Sequence, residues 1–240
     1  MAIGHNVGVI TPERFATGMT FDEYVRYVGT PENLSREAGW WLGTQRHDFS
    51  SLLRAWYTRV QLTGAQMDAI RWLAGRPGGP ARLLVISEEW SSDCRRDVPA
   101  RARLAEAGGL ALRIFPRDGQ KLGRGPRASP DESPTADVVN AFLNEKDGQT
   151  FQSVPVAAFL TREMQHLYTY FEYPALYHKE RLYTAMQAPV AGETREQAWP
   201  RFLRDWRALQ ESPFFRIWAS AAIDEIICAL HERLVAGPPA

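Results

Sequence analysis

The residues of this chain best equipped for chemistry fall in one stretch, EEWSSDCRRDVP, residues 88–99, which holds Cys94, one of the chain's two cysteines. The thiolate, not the thiol, attacks disulfides and peroxides, and the free N–H groups of a helix's first turn stabilise that anion. Cys94 stands where a helix is expected to begin directly after a strand. Ser91, three residues earlier, cannot act as a second attacking group toward sulfur, because its alkoxide is inaccessible near neutral pH. A dithiol cycle within this stretch is therefore not expected. Arg95 and Arg96 follow at once and would supply positive charge, yet two arginines at a helix start oppose the macrodipole and call for an anion to compensate them. The bland alternative is that Ser91, Ser92 or Asp93 caps the helix, Asp97 screens the arginines and Cys94 packs as a small apolar residue.

The elements that must hold this stretch read clearly on both sides. RLLVIS (82–87) is a short apolar run of the kind buried on both faces of a sheet, and LALRIFP (110–116) is a second one. Between them, Val98, Ala102, Leu104 and Ala105 continue a helix to a stop at Gly108-Gly109. Strand, helix and strand at this spacing predict a parallel βαβ unit. Ahead of it, FDEYVRYV (21–28) with Thr20 as N-cap, and apolar residues at helical spacing from Phe49 to Leu73, predict a helical layer, while residues 1–19 read as an arm that orders only by docking. After it, residues 117–135 break all periodicity and read as an exposed, solvated loop, with Arg117, Lys121, Arg124 and Arg127 as its basic residues. Ala136–Asn144 is expected as a short helix capped by Thr135 or Ser133. VPVAAFL (154–160) and HLYTYFEY (166–173), joined by TREMQ, predict an antiparallel hairpin. Residues 174–234 are expected to be mostly helical, with Pro200 and Pro213 in first turns. Three segments follow: 1–75, an arm and helical extension; 76–190, the α/β domain; and 191–240, helices packing on that same domain.

Trp90-Ser91-Ser92-Asp93-Cys94 followed by Pro99 resembles the thioredoxin pattern W-C-x-x-C-x-x-x-x-P, with Ser91 in place of the first cysteine. Ser153-Val154-Pro155-Val156 is similar to the segment whose proline is cis in that fold. The string LLVISEEWSSDCRRDVPARARLAEAGGLALRIFPRD is similar to a branch of bacterial cytoplasmic thioredoxin-like proteins with a helical N-terminal extension. The resemblance covers roughly residues 35–185. It implies an α/β thioredoxin fold, a central mixed sheet flanked by helices, with additional helices at both ends. It further implies a site in which Cys94 and Ser91 carry any chemistry and Trp90, Val154, Pro155 and Arg95 contact the partner. Cys94 corresponds to the second, resolving cysteine of the family. Ser91-x-x-Cys94 also resembles the peroxidatic site of peroxiredoxins, although Ser87 stands where their pattern has a proline. Three functions stay open: a monothiol protein that captures a protein disulfide or glutathione; a redox-inactive module that keeps the groove for binding; and a thiol peroxidase. Accessibility separates the first two, since a buried Cys94 favours the module.

Composition narrows the partners. Lys plus Arg and Asp plus Glu stand at 28 each in 240 residues, so no global field recruits nucleic acid or an anionic membrane. No signal-peptide pattern and no uninterrupted apolar run of about 18 residues occur, so a cytoplasmic protein with free thiols is expected. The five histidines, His5, His47, His166, His178 and His231, lack metal-ligand spacing, and no metal or cofactor is expected. Cys228, within FFRIWASAAIDEIICALHERLV, is expected in the core, on a face with Ile217, Ala221, Asp224 and Ile227. Tyrosines of LYTYFEYPALYHKERLY (167–183) are expected half in the core, with an aromatic ligand groove as the lesser alternative, and Trp40 and Trp41 are expected to fasten extra helices to the sheet. A homodimer is compatible with apolar terminal helices.

Overall fold

The computed structural model describes residues 10–39 and 45–237. His5, Trp40 and Trp41 lie outside these residues. A four-stranded mixed sheet, ordered β2-β1-β5-β6, forms the centre. β1 (Arg82–Ser87) pairs in parallel with β2 (Ala111–Pro116) and antiparallel with β5 (Val156–Leu160), and β5 pairs antiparallel with β6 (His166–Phe171). Every residue of β5 is buried, as are five of the six in β1, which is why these strands carry continuous apolar runs. α6 (Ser92–Gly108) crosses between β1 and β2 and ends on Gly109, whose φ of 65° suits a residue without Cβ.

Of the arm, residues 10–19 dock, as their sequence required if they were to order, and residues 1–9 lie outside the described residues. α1 (Pro12–Ala16) is a short helix that the unperiodic reading of residues 1–19 missed, although Thr11 caps it and Pro12 opens it. Phe15 is 1% exposed, and Met19 bridges Ile114 of β2 through two hydrogen bonds of 2.9 and 2.7 Å. Gly18 makes this approach possible, since a Cβ there would lie 2.6 Å from the Phe115 ring. α2 (Phe21–Val28) opens with a full capping box between Thr20 and Glu23. α3 (Pro31–Leu34), α4 (Ser50–Arg59) and α5 (Gly64–Ala74) complete the layer, and α4 and α5 both pack on α6.

On the C-terminal side, α8 (Lys179–Gln187), α9 (Arg195–Glu211) and α10 (Pro213–Ala236) follow the sheet, with α10 against α5, α6 and β6. Pro213 opens α10 as expected, whereas Pro200 sits inside α9, whose N-cap is Thr194. One apolar core joins all three sequence segments, from Ile10 and Phe15 through β1 and β5 to Ile226 and Leu230.

Two further expectations are corrected. α7 (Ala136–Ala141) forms, but it is followed by a small hairpin of β3 (Asn144–Lys146) and β4 (Gln149–Phe151). Its Asp147-Gly148 turn has φ of 53° and 75°, the positive pair of a tight hairpin turn, and that Asp-Gly pair was its sequence signal. The loop 117–135 is not simply solvated. Arg117 donates to the Gln152 carbonyl (2.8 Å), Ser133 Oγ to the Arg117 carbonyl (2.6 Å), and Asn140 clasps both the N–H and the carbonyl of Ala128. Lys121, Arg124 and Arg127 do remain exposed, with Arg124 paired to Glu37.

Candidate functional site

β1 delivers residues 88–99 to the carboxyl end of the parallel pair, the edge at which open α/β sheets present their ligand crevices. Ser91 takes the N-cap position of α6 with extended backbone but makes no side-chain cap bond. Cys94, in the first turn, is 1% exposed. Its Sγ accepts the Glu88 N–H at 3.4 Å, and the Ser87 and Ser91 side chains lie against it. Burial pushes the thiol pKa up to about 12, and these hydrogen bonds only partly oppose that rise. The helix start therefore does not produce a thiolate here: the sulfur is sealed from water, and a packed thiol is a poor nucleophile.

The charged residues around it are buried as well, which residue-type reasoning did not foresee. Glu88 is fully buried and binds Arg36 (2.7 Å), Arg46 (2.6 Å) and the Asp118 N–H (2.7 Å). Glu89 shares Arg46 (2.7 Å) and takes an N–H of Asn33 (3.2 Å). Asp118 binds Arg117 (2.8 Å) and the Trp90 indole N–H (3.0 Å). Three carboxylates thus meet three guanidinium groups, which is what makes their burial tolerable. Burial and the neighbouring Asp118 raise the Glu88 carboxyl, against the lowering pull of Arg36 and Arg46.

A second buried cluster lies one helical turn on. Arg96 grips Asp97 with two bonds (2.7 and 2.8 Å) and Asp93 with one (2.9 Å), and Lys179 of α8 reaches the other Asp93 oxygen at 2.5 Å. These aspartates are the anions that the arginines at the helix start required. Arg101, also buried, adds a 3.3 Å pair to Asp97. Arg95 is 1% exposed and spends its guanidinium inside the protein, on the carbonyls of Glu89 and Trp90 (both 2.8 Å) and on Gln210 (2.7 Å). The expectation that it contacts a partner is corrected accordingly.

The Val154-Pro155 peptide bond is cis. Both residues are buried, and the Pro155 carbonyl accepts the Glu172 N–H at 2.8 Å. Open space lies instead beside the start of α6. Trp90, Ser91, Ser92, Lys179, Glu180, Tyr183, Phe202 and Trp206 line a pocket of about 270 Å³. Of the expected site residues, Trp90 and Ser91 face it; Cys94, Arg95, Val154 and Pro155 do not line it. Phe202 and Trp206 come from a helix far downstream and carried no local motif to reveal them, whereas Lys179 and Tyr183 lie in the tyrosine-rich tract 167–183. Two larger hollows, of about 390 and 490 Å³, lie between the Val60 turn and α10 and along the 119–134 loop, and neither is lined by a residue of the 88–99 stretch.

Cys228 is exposed, not core. The buried face of α10 is Ala222, Ile223, Ile226 and Leu230, so Cys228 points roughly 200° away from Ile226. Ile217, placed on the core face with Cys228, is likewise 51% exposed. A helix apolar on nearly all sides gave no sharp stripe by which to orient it. Among the described residues no group of histidine, cysteine and acidic side chains could hold a metal ion, and no helix is long and apolar enough to cross a membrane.

No family model and no curated protein matches the chain. Among solved structures, a protein of unknown function from Pseudomonas aeruginosa superposes with a TM-score of 0.50 at 15% identity, covering 96% of this chain and 98% of that one. An HIV epitope scaffold gives the same TM-score and identity over 91% of this chain and 96% of its own. At this identity the likeness concerns the fold alone, a mixed α/β architecture with a four-stranded sheet flanked by helices.

Proposed function

We propose that this chain is a redox-inactive, thioredoxin-like binding protein whose site is the pocket at the start of α6. The order β1-α6-β2, α7, the β5-β6 hairpin and α8, with the small β3-β4 hairpin inserted after α7, supports the thioredoxin-like reading. The single observation that carries the functional one is the state of Cys94: it is sealed, hydrogen-bonded through its sulfur to Glu88 N–H, and raised to about 12. At neutral pH such a thiol has almost no thiolate, whereas disulfide, glutathione and peroxide chemistry all require it. Ser91, which does face the pocket, offers a hydroxyl that cannot form a mixed disulfide. The chain thus keeps a recess walled by aromatic rings and a helix terminus and lacks an exposed sulfur to react there. Binding without turnover is what remains.

Turnover of hydrogen peroxide, of a low-molecular-weight disulfide and of glutathione mixed disulfide by the wild type and by Cys94→Ser tests this directly. Neither protein is expected to exceed the uncatalysed rate. Turnover lost on Cys94→Ser would return the chain to the thiol-handling class.

A further inference from the structure

We infer that the outer face of α10 pairs, antiparallel, with the same face of a second copy of this chain. Ile217, Ala221, Asp224, Cys228, His231 and Val235 follow one another at intervals of four and three residues, the spacing that keeps one seam of a helix turned toward a partner helix. The seam lies opposite the buried face of Ala222, Ile226 and Leu230, and none of its members is buried. Val235 is 67% exposed, Ile217 51%, and Phe214, one turn before Ile217, 57%. Trp72 of α5, whose ring meets that of His231 at 5.7 Å, is exposed on the same side. Half of the eight exposed large apolar side chains among the described residues thus gather on one face, whereas exposures without a partner to meet are scattered singly.

The charges name the occupant and its direction. The chain carries no net charge, so two copies do not repel. A parallel copy would set one Asp224 carboxylate on the other. An antiparallel copy, related by a two-fold axis at Ile226, sets Asp224 beside Cys228 of the second copy and within one helical turn of its His231, a donor for the carboxylate. Asp224 Oδ1 accepts the Gln66 amide at 2.8 Å, which leaves Oδ2 for this contact. The same axis brings Ile217, nine residues before Ile226, against Val235, nine residues after it. It also carries the C-terminal end of the second copy's α10 to the hollow of about 390 Å³ beside Ile217, whose lining includes Arg59 and Arg216. Cations beside the negative end of a helix dipole are favourable, and two-fold symmetry provides that arrangement twice. One helix pair buries less than the about 800 Å² per partner of a standard interface, so a reversible dimer with a Kd on the order of 10 µM follows.

Sedimentation velocity of the full chain from about 1 to 200 µM brackets that value and tests the inference. The mass is expected to rise from the 27.1 kDa of one chain toward twice that. Ile217→Glu, at a half-exposed position, should leave Tm unchanged and weaken the dimer by about tenfold or more, and Arg216→Glu should weaken it by about fivefold. Direction is read by cross-linking in a Cys228→Ser background. A short bis-maleimide is expected to join Ile217→Cys to Val235→Cys in a mixture of the two variants, and to leave Ile217→Cys alone monomeric. If Ile217→Glu does not fold, the cysteine variants decide. A monomer at every concentration, whatever else covers the face, overturns the inference. So does a dimer indifferent to Ile217→Glu, or one in which Ile217→Cys joins itself and not Val235→Cys.

Discussion

Asp93→Asn removes the fully buried carboxylate from the cluster that joins α6 to α8. The wild-type carboxylate accepts Arg96 Nη1 at 2.9 Å and Lys179 Nζ at 2.5 Å. Removing one partner from a buried ion pair costs about 3–5 kcal/mol, because the remaining charge stays desolvated. Two features place this case at the lower end. Arg96 keeps both bonds to Asp97, and the Lys179 side chain, 25% exposed, can recover water. A loss of about 3 kcal/mol follows, or a fall in Tm of about 6–12 °C for a chain of this size. The pH dependence has a definite sign. Burial pushes the Asp93 carboxyl upward, but Lys179 and Arg96 outweigh it and hold its pKa below the ordinary value. A depressed folded-state pKa contributes stability that is present above the unfolded value of about 3.9 and is lost as pH falls through the folded value. Urea denaturation of wild type and Asp93→Asn should therefore show the full gap at pH 7 and a shrinking one below about pH 3.9. In a double-mutant cycle with Lys179→Met, the two losses should be less than additive. A gap under about 1 kcal/mol at pH 7, or one that persists unchanged in acid, would refute the account of this cluster.

Three further outcomes are expected. Glu88→Gln leaves Arg36 and Arg46 without their shared carboxylate and should cost about 3–5 kcal/mol by chemical denaturation. Gly119→Ala would set a Cβ 2.0 Å from the Glu132 carbonyl oxygen, so the 117–135 loop must shift and weaken the Arg36 bond to the Gly119 carbonyl. It should lower stability by about 1–3 kcal/mol and speed amide exchange across that loop. Cys94→Ser keeps an acceptor for the Glu88 N–H and, by exchanging a buried thiol for a slightly smaller and more polar group, should cost no more than about 2 kcal/mol, read as a modest drop in Tm with the pocket intact.

The βαβ unit and the β5-β6 hairpin were legible because buried strands write continuous apolar runs and Gly109 marks the helix end. Thr20 caps α2 as read, and Glu23 completes a capping box that the reading did not name. The β3-β4 hairpin was missed although Asp147-Gly148 announced it, since strands of three residues leave little periodic trace. The site was less legible for a physical reason. Nothing local marks Glu88, Glu89, Asp93 and Arg96 as buried, since their burial depends on partners supplied from far along the chain, such as Arg36, Arg46 and Lys179. The same dependence hid the α9 part of the pocket wall, Phe202 and Trp206, while Tyr183 of α8 lies in the tyrosine-rich tract that the sequence marked. Spacing drew attention to Cys94, but its environment is set by burial against Ser87, Glu88 and Ser91, which spacing alone does not encode.

The pH dependence of iodoacetamide labelling in the native protein, read by mass spectrometry at Cys94 and Cys228 together, tests the central claim most directly. The account predicts that Cys228, exposed on α10, labels readily, while Cys94 stays unlabelled through pH 9 and reacts only after denaturation. Rapid native labelling of Cys94 with a midpoint well below the free-thiol value of about 8.5 would contradict it.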